Sequence, residues 1–324
     1  MRLPRHIALM LGLTSLAFIS LAWALLAGSS VAGWQDVWPA LNGGGGTAGE
    51  VIRTLRLPRA LAAFACGGLL ALSGALLQIL LRNPLADPYV LGVSGGASLA
   101  ALLALAVGWS GWAMQGSAFV GALIAMLLVF ALAHRRGPWS STRMLLTGVM
   151  VASLCSACIA LILSLAPDAN LRGMLYWLMG DASQAEHPLI ALSVLLLGVT
   201  ITLPLARELN LLARGEISAR ALGVNVTHLS RWVFVLTSLM TAIAVTTIGA
   251  VGFVGLAVPH VTRFLLGHDQ RIVLPASVLL GGSLLTCADT LARTLLDPVQ
   301  LPVGVFMALI GAPLFLWLLS RRFA

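Results

Sequence analysis

Long apolar runs alternate with short polar breaks along almost the whole chain. The run "LPRALAAFACGGLLALSGALLQILL" at 57–81 is the plainest, with Arg59, Ser73 and Gln78 as its polar groups. A helix needs about 20 consecutive apolar residues to cross the hydrocarbon core of a bilayer. Ten segments reach or approach that length: 7–27, 57–81, 90–108, 112–134, 144–166, 189–206, 232–250, 253–267, 273–292 and 303–319. The pattern predicts an all-α polytopic membrane protein with about ten transmembrane helices. The eighth segment is short and carries Pro259, which makes it the weakest of the ten. The loops between segments are short, so 1–324 reads as a single transmembrane domain without a second soluble one. Arg2, Arg5 and the small-residue stretch "SSVAG" also resemble a signal peptide, but 7–27 exceeds the usual 7–15-residue apolar core and is counted as the first span.

Composition sharpens the class. Of 324 residues, 59% are hydrophobic and 9% charged, against about 25% charged in soluble domains; the mean hydropathy is +0.99. There is no lysine, and all 19 basic residues are arginine. That excludes a Schiff base, a lysine nucleophile and a phosphate-binding P-loop. "NGGGGT" at 42–47 therefore reads as a flexible connector. If the segments alternate across a bilayer, 14 arginines fall on the side of the termini and five on the other: Arg53, Arg56, Arg59, Arg172 and Arg293. The positive-inside rule places the richer set, and both termini, in the cytoplasm. The net charge of +8 is then mostly topology, and no basic face is backed by aromatics as a nucleic-acid site requires.

Ionisable residues in mid-membrane mark ion paths, and few are visible. Asp289 lies near the end of the ninth segment with Arg293 one turn on, a spacing that favours a local ion pair. His260 beside Pro259 reads as a structural histidine. Cys155-x-x-Cys158 matches a redox or metal spacing but lies in an apolar span, where thiols serve as small packing groups. The scattered histidines offer no nucleophile–base pair and no metal cluster. With neither an ion relay nor a nucleotide site, transport by this chain would draw its energy from another subunit. A place for that subunit to dock lies in the polar insertion 205–231. There "GEISARALG" predicts a short helix between Gly215 and Gly223, with Glu216 and Arg220 paired and Gly223 as a left-handed cap. An ordinary surface loop is the other reading.

Several stretches carry a resemblance. They are "RLPRALAAF" (56–64), "SGALLQILLRNPLADPYVLGVSGGA" (73–97), "LRGMLYWLMGD" (171–181), "GEISARALGV" (215–224), "GFVGLAVPHVTR" (252–263), "VLPASVLLGG" (273–282) and "LPVGVFMALIGAPLFLWLL" (301–319). In this order they resemble the FecCD, or BtuC-like, family: permease subunits of bacterial type II ABC importers for vitamin B12, iron siderophores and haem. The resemblance implies ten helices per permease and a homodimer with one path at its interface. It also implies two ATP-binding subunits, which carry ATP and magnesium, and a periplasmic substrate-binding protein. The chain itself would bind no cofactor or metal and would not be an enzyme, and its membrane would be the bacterial inner membrane.

The same resemblance implies roles for individual residues. A cytoplasmic gate falls on the loops near 82–88 and 137–143, at Asn83, Pro84, Leu85, Ser141 and Thr142. The coupling helix near 213–224 covers Gly215, Glu216, Ile217, Ser218, Ala219, Arg220, Leu222 and Gly223. Arg56, Arg59 and Arg293 would meet glutamates of the binding protein, with anchoring at helix ends as the plainer role. Arg82 and Asp87 read as charges that fix their loop. Thr147, Met150, Ser153, Ser156 and Ser164 of the fifth segment are expected to line the path, with tight helix packing as the alternative. The cargo order is corrinoid, then iron–siderophore, then haem; an ion-coupled secondary transporter is the rival from another class.

Overall fold

The computed structural model describes residues 5–28, 34–134, 141–296 and 299–322. Helix α1 (Arg5–Leu26) is followed by two short helices, α2 (Trp34–Leu41) and α3 (Gly46–Val51). A π-helical turn, Ile52–Arg56, joins α3 to α4 (Leu57–Leu80). Next come α5 (Val93–Ala106), α6 (Gly111–His134), α7 (Ser141–Leu165), α8 (Asp168–Met179) and α9 (Pro188–Thr202). The short α10 (Ala206–Ala213) and α11 (Glu216–Ala221) precede α12 (Val226–Ile248), α13 (Val254–Leu266), α14 (Gln270–Thr294) and α15 (Val303–Arg322). Each of the ten expected segments lies on a helix. Among the described residues, six helices are long and apolar enough to span a membrane, and the bent pair α9–α10 makes a seventh. The shorter apolar helices are α5, α13 and the Val303–Pro313 part of α15.

The chain builds its core around α4, which packs against α14, α12, α9 and α13. A central helix in a lipid-soluble bundle gains little from leaving water, because lipid tails are as apolar as leucine. Its stability comes from close van der Waals contact, which small residues permit. α4 supplies them: a Cβ added at Gly67 would overlap the Gly281 carbonyl of α14, and one at Gly74 would overlap Gly255 of α13. Gly96 of α5 and Gly121 of α6 meet in the same way. Gly92 does different work, taking φ 76° where the chain turns into α5 and facing Val151 of α7.

Three boundaries differ from the sequence pattern for physical reasons. The segment expected at 189–206 stops at Thr202, with Leu203 still in helical geometry, and α10 leaves it at 70°; Pro204 has no N–H with which to continue the helical ladder. α12 starts at Val226, because the Asn225 side chain accepts a hydrogen bond from the His228 N–H at 3.1 Å and caps a first turn too polar to look like a span. The connector 42–47 is a turn over its first residues, but Gly46 and Thr47 already belong to α3.

Candidate functional site

The 23 residues from Arg59 to Arg82 place those two arginines at opposite ends of α4, about 35 Å apart at 1.5 Å per residue. That is comparable to a hydrocarbon core of about 30 Å.

At the Arg82 end, α4 finishes in a Schellman cap: Arg82 N–H donates to the Ile79 carbonyl and Asn83 N–H to the Gln78 carbonyl, each at 3.2 Å. The left-handed position in this cap usually belongs to glycine, yet Arg82 holds it at φ 49°, at a cost of about 1–2 kcal/mol. The loop beyond is stiff. The Asn83 side-chain oxygen accepts from Leu85 N–H at 2.9 Å, and the Asp87 carboxylate accepts from Tyr89 N–H at 2.8 Å. Burial pushes the Asp87 carboxyl up to about 6, while the Tyr89 hydrogen bond opposes that rise. Pro84 and Leu85 are exposed. The loop is also fastened to the start of α13. The Tyr89 hydroxyl accepts from Val251 N–H at 2.6 Å, and the Gln78 amide donates to the Leu256 carbonyl at 3.2 Å. Phe253, at this junction, and Arg82 are the two non-glycine residues with positive φ among the described residues.

The helix expected at 215–223 is present as α11, flanked by Gly215 at φ 125° and Gly223 at φ 84°. Gly223 forms the left-handed cap anticipated from sequence: its N–H reaches the Arg220 carbonyl, and Val224 N–H reaches that of Ala219, both at 3.0 Å. Ala219 is the buried anchor. Ser218, Arg220 and Leu222 are exposed, and Ile217 is 86% exposed, an apolar side chain held outward on a polar element. Glu216 binds in two directions. It pairs with Arg220 one turn on at 3.3 Å and with Arg82 of the α4–α5 loop at 3.5 Å. Asn210 on neighbouring α10 locks the start of α14, donating to Asp269 at 2.8 Å and accepting from Gln270 N–H at 2.9 Å.

At the opposite end, Arg56, Arg59 and Arg293 line one groove of about 470 Å³, together with Thr54, Ser183 and Gln300. They also have intramolecular work that the sequence did not reveal. Arg56, only 5% exposed, donates to the Leu25 and Leu26 carbonyls at 2.9 and 3.0 Å. Arg293 donates to the Ala24 carbonyl. Together they satisfy the unpaired C-terminal carbonyls of α1. The expected Asp289–Arg293 pair is replaced by a cross-bundle one: Arg59 grips Asp289 with Nε and a terminal nitrogen, each at 2.9 Å, and lies 3.6 Å from Asp181. Asp181 follows α8, which carries most of the "LRGMLYWLMGD" stretch and whose end at Gly180 abuts Ala250 and Gly304. Arg172 of α8 stands over the Tyr176 ring, and Trp177 is buried.

A π-turn ahead of a small-residue central helix, a re-angled α9–α10 pair and a short helix tied to the α4–α5 loop form a distinctive set. Residues 16–321 match the FecCD transport family. The chain belongs to that family. Among its relatives, the cobalamin import system permease protein BtuC of Halobacterium salinarum is 42% identical over 303 residues, covering 88% of this chain and 80% of the relative. The hemin transport system permease protein HmuU of Yersinia pestis is 40% identical over 276 residues, covering 83% and 82%. A solved transporter described as of metal-chelate ABC type, in an inward-facing conformation, superposes with a TM-score of 0.86 at 32% identity, covering 98% of this chain and 99% of its own.

In this FecCD-family chain, α7 divides cleanly. Met144, Gly148, Val151 and Cys155 are buried on one face, against Val90 to Gly92 and Gly95. Met150, Ser153, Ser156 and Ser164 are exposed, and Thr147 is half-buried. The Ser153, Ser156 and Ser164 hydroxyls donate to carbonyls of their own helix at 2.8–2.9 Å, so these serines have no proton left to donate and face outward as acceptors. Ser141 opens α7 and Thr142 is exposed beside it; residues 137–140 of the expected gate loop lie outside the described residues. Sequence reasoning missed Tyr89, Gln78 and Asn210 as fasteners. Tyr89 carried a faint signal, as one of only two tyrosines in the chain.

Proposed function

We propose that this chain is the permease subunit of an ATP-driven importer of a caged metal, and that it works as a pair of identical copies. Two ATP-binding subunits supply hydrolysis with their ATP and magnesium, and a periplasmic substrate-binding protein delivers the cargo. The membrane is the bacterial cytoplasmic membrane, with both termini and the Arg82 end inside. The observation that carries this reading is the display of Ile217 on α11, at the end of the bundle where Glu216 meets the α4–α5 loop. An exposed apolar residue on a glycine-flanked helix is suited to seat in a partner's groove.

ATP-driven closure of the partners displaces α11, and the α4–α5 loop moves with it. Pro84 and Leu85, opposed by Ser141 and Thr142, close the cytoplasmic end. The low-polarity face of α7 lets a bulky chelate slide rather than bind, since tight binding would slow exit. The motion is rigid-body alternating access. Arg56, Arg59 and Arg293 attract carboxylates of the binding protein as a cluster of positive charge around their common groove, while their guanidinium forks stay on the internal partners. The first-choice cargo is a corrinoid, on "LRGMLYWLMGD" and "GEISARALGV"; an iron–siderophore or haem is the alternative. The metal enters already caged and is cargo, not a resident cofactor.

The test is uptake into vesicles holding permease, ATP-binding subunit and binding protein, with ATP and no ion gradient. Accumulation of labelled cobalamin, ferric siderophore or haem supports the reading and names the cargo. Accumulation by this chain alone, driven by a proton or sodium gradient, would make it a secondary transporter instead.

A further inference from the structure

Two helix ends in this chain are built alike and filled differently. α11 closes on Gly223 and α4 closes on Arg82, both in left-handed Schellman caps. Glycine suits that backbone; arginine strains it. A residue that breaks a local rule is retained where its side chain does something glycine cannot. Here the side chain leaves the α4 cap and meets Glu216 of α11 at 3.5 Å. The pair is partly exposed, 47% on the arginine and 20% on the glutamate, and pairs that open to solvent add little to stability. Its value therefore lies elsewhere than in holding the fold.

The position supplies that value. On one side the α4–α5 loop is fastened through Tyr89, which holds Val251 just ahead of α13, and through Gln78 of α4, whose amide reaches both Ala86 of the loop and Leu256 of α13. On its other side, the Arg82–Glu216 pair reaches the displayed α11. We propose that Arg82 is a positioning residue that delivers displacement of α11 to the α4–α5 loop through Glu216. Glu216 also pairs with Arg220 of its own helix, so its carboxylate is held in place while Arg82 is pulled or released. This rests on the reading of α11 as the contact with the ATP-binding subunit.

The experiment uses the assembled transporter in proteoliposomes and reads three quantities: melting temperature, retention of the ATP-binding subunit, and cargo moved per ATP hydrolysed. Arg82→Gly relieves the strained backbone while removing the tether. Its melting temperature should equal or exceed the parent's and the ATP-binding subunit should stay bound, while cargo per ATP falls roughly 5-fold or more, the lower end of typical coupling between sites. Arg82→Glu and Glu216→Arg should each lower the ratio, and the double exchange should recover it, as expected for a direct pair. A residue that served only the fold would lower the melting temperature and the ratio together. A parental ratio in Arg82→Gly, with the subunit still bound, overturns this proposal alone. A double exchange no better than its single changes also overturns it. Loss of the ATP-binding subunit from no α11 variant, even when Ile217→Arg is included, overturns the coupling reading and this proposal with it.

Discussion

Arg59 and Asp289, 230 residues apart in sequence, form a bidentate ion pair between α4 and α14, with Nε and a terminal guanidinium nitrogen each 2.9 Å from a carboxylate oxygen. Asp289 is only 2% exposed. Removing one partner from such a pair strands the other charge in a poorly solvated site. Asp289→Ala should cost roughly 3–5 kcal/mol, and joint replacement of both residues by apolar ones of similar volume should recover most of it. Thermal unfolding in detergent checks this; equal losses in the single and double variants would show that the pair is not what matters.

Helix contact at α4 depends on glycine at positions that touch backbone. Gly74→Ala drives a methyl into Gly255 of α13 and should destabilise by about 1–3 kcal/mol or more, as overpacking does. Gly116 of α6 has open space around its Cα, so Gly116→Ala should instead gain about 0.5–1 kcal/mol of helix stability. The two melting temperatures, measured side by side, should move in opposite directions.

The face of α7 is tested by size rather than polarity. The Ser156 hydroxyl is already bonded to the Ala152 carbonyl at 2.9 Å, so Ser156→Ala should leave uptake near the parental rate. Ser156→Trp should block uptake while the assembled complex still forms. Parental uptake by the tryptophan variant would remove α7 from the path.

Asp87 gives the α4–α5 loop a pH dependence. Burial raises its carboxyl from 3.8 to about 6. A raised folded-state value means that the stabilisation is complete below the unfolded value and is lost as pH rises through about 6. Asp87→Asn keeps an acceptor for Tyr89 N–H and has no such transition. The parent's melting temperature should fall between about pH 4 and about pH 6.5, while that of the variant should lack this fall. Parallel curves would contradict this.

Much of the fold was legible in the hydropathy pattern, and the reasons for the rest are local or long-range. The ten segments lie on helices because apolar length is a direct physical requirement of spanning. α2 and α3 escaped it: Pro39 and the glycine run around 42–46 hide two helices too short to be spans. The α11 helix and its Gly223 cap were readable because their signals lie within one short stretch. The strained cap at Arg82 was not, since arginine carries no signal for a left-handed backbone. Nor was the capping of α1 by Arg56 and Arg293, or the pairing of Arg59 with Asp289, because those partners meet only once the bundle is packed.

The most direct test of the central claim places a cysteine at Ile217 in the assembled, membrane-embedded transporter and adds a short bifunctional thiol reagent. Ile217→Cys should cross-link to a cysteine in the groove of the ATP-binding subunit, with a yield that changes between ATP-bound and nucleotide-free states. No cross-link in either state, from a complex that still imports its cargo, would contradict the account.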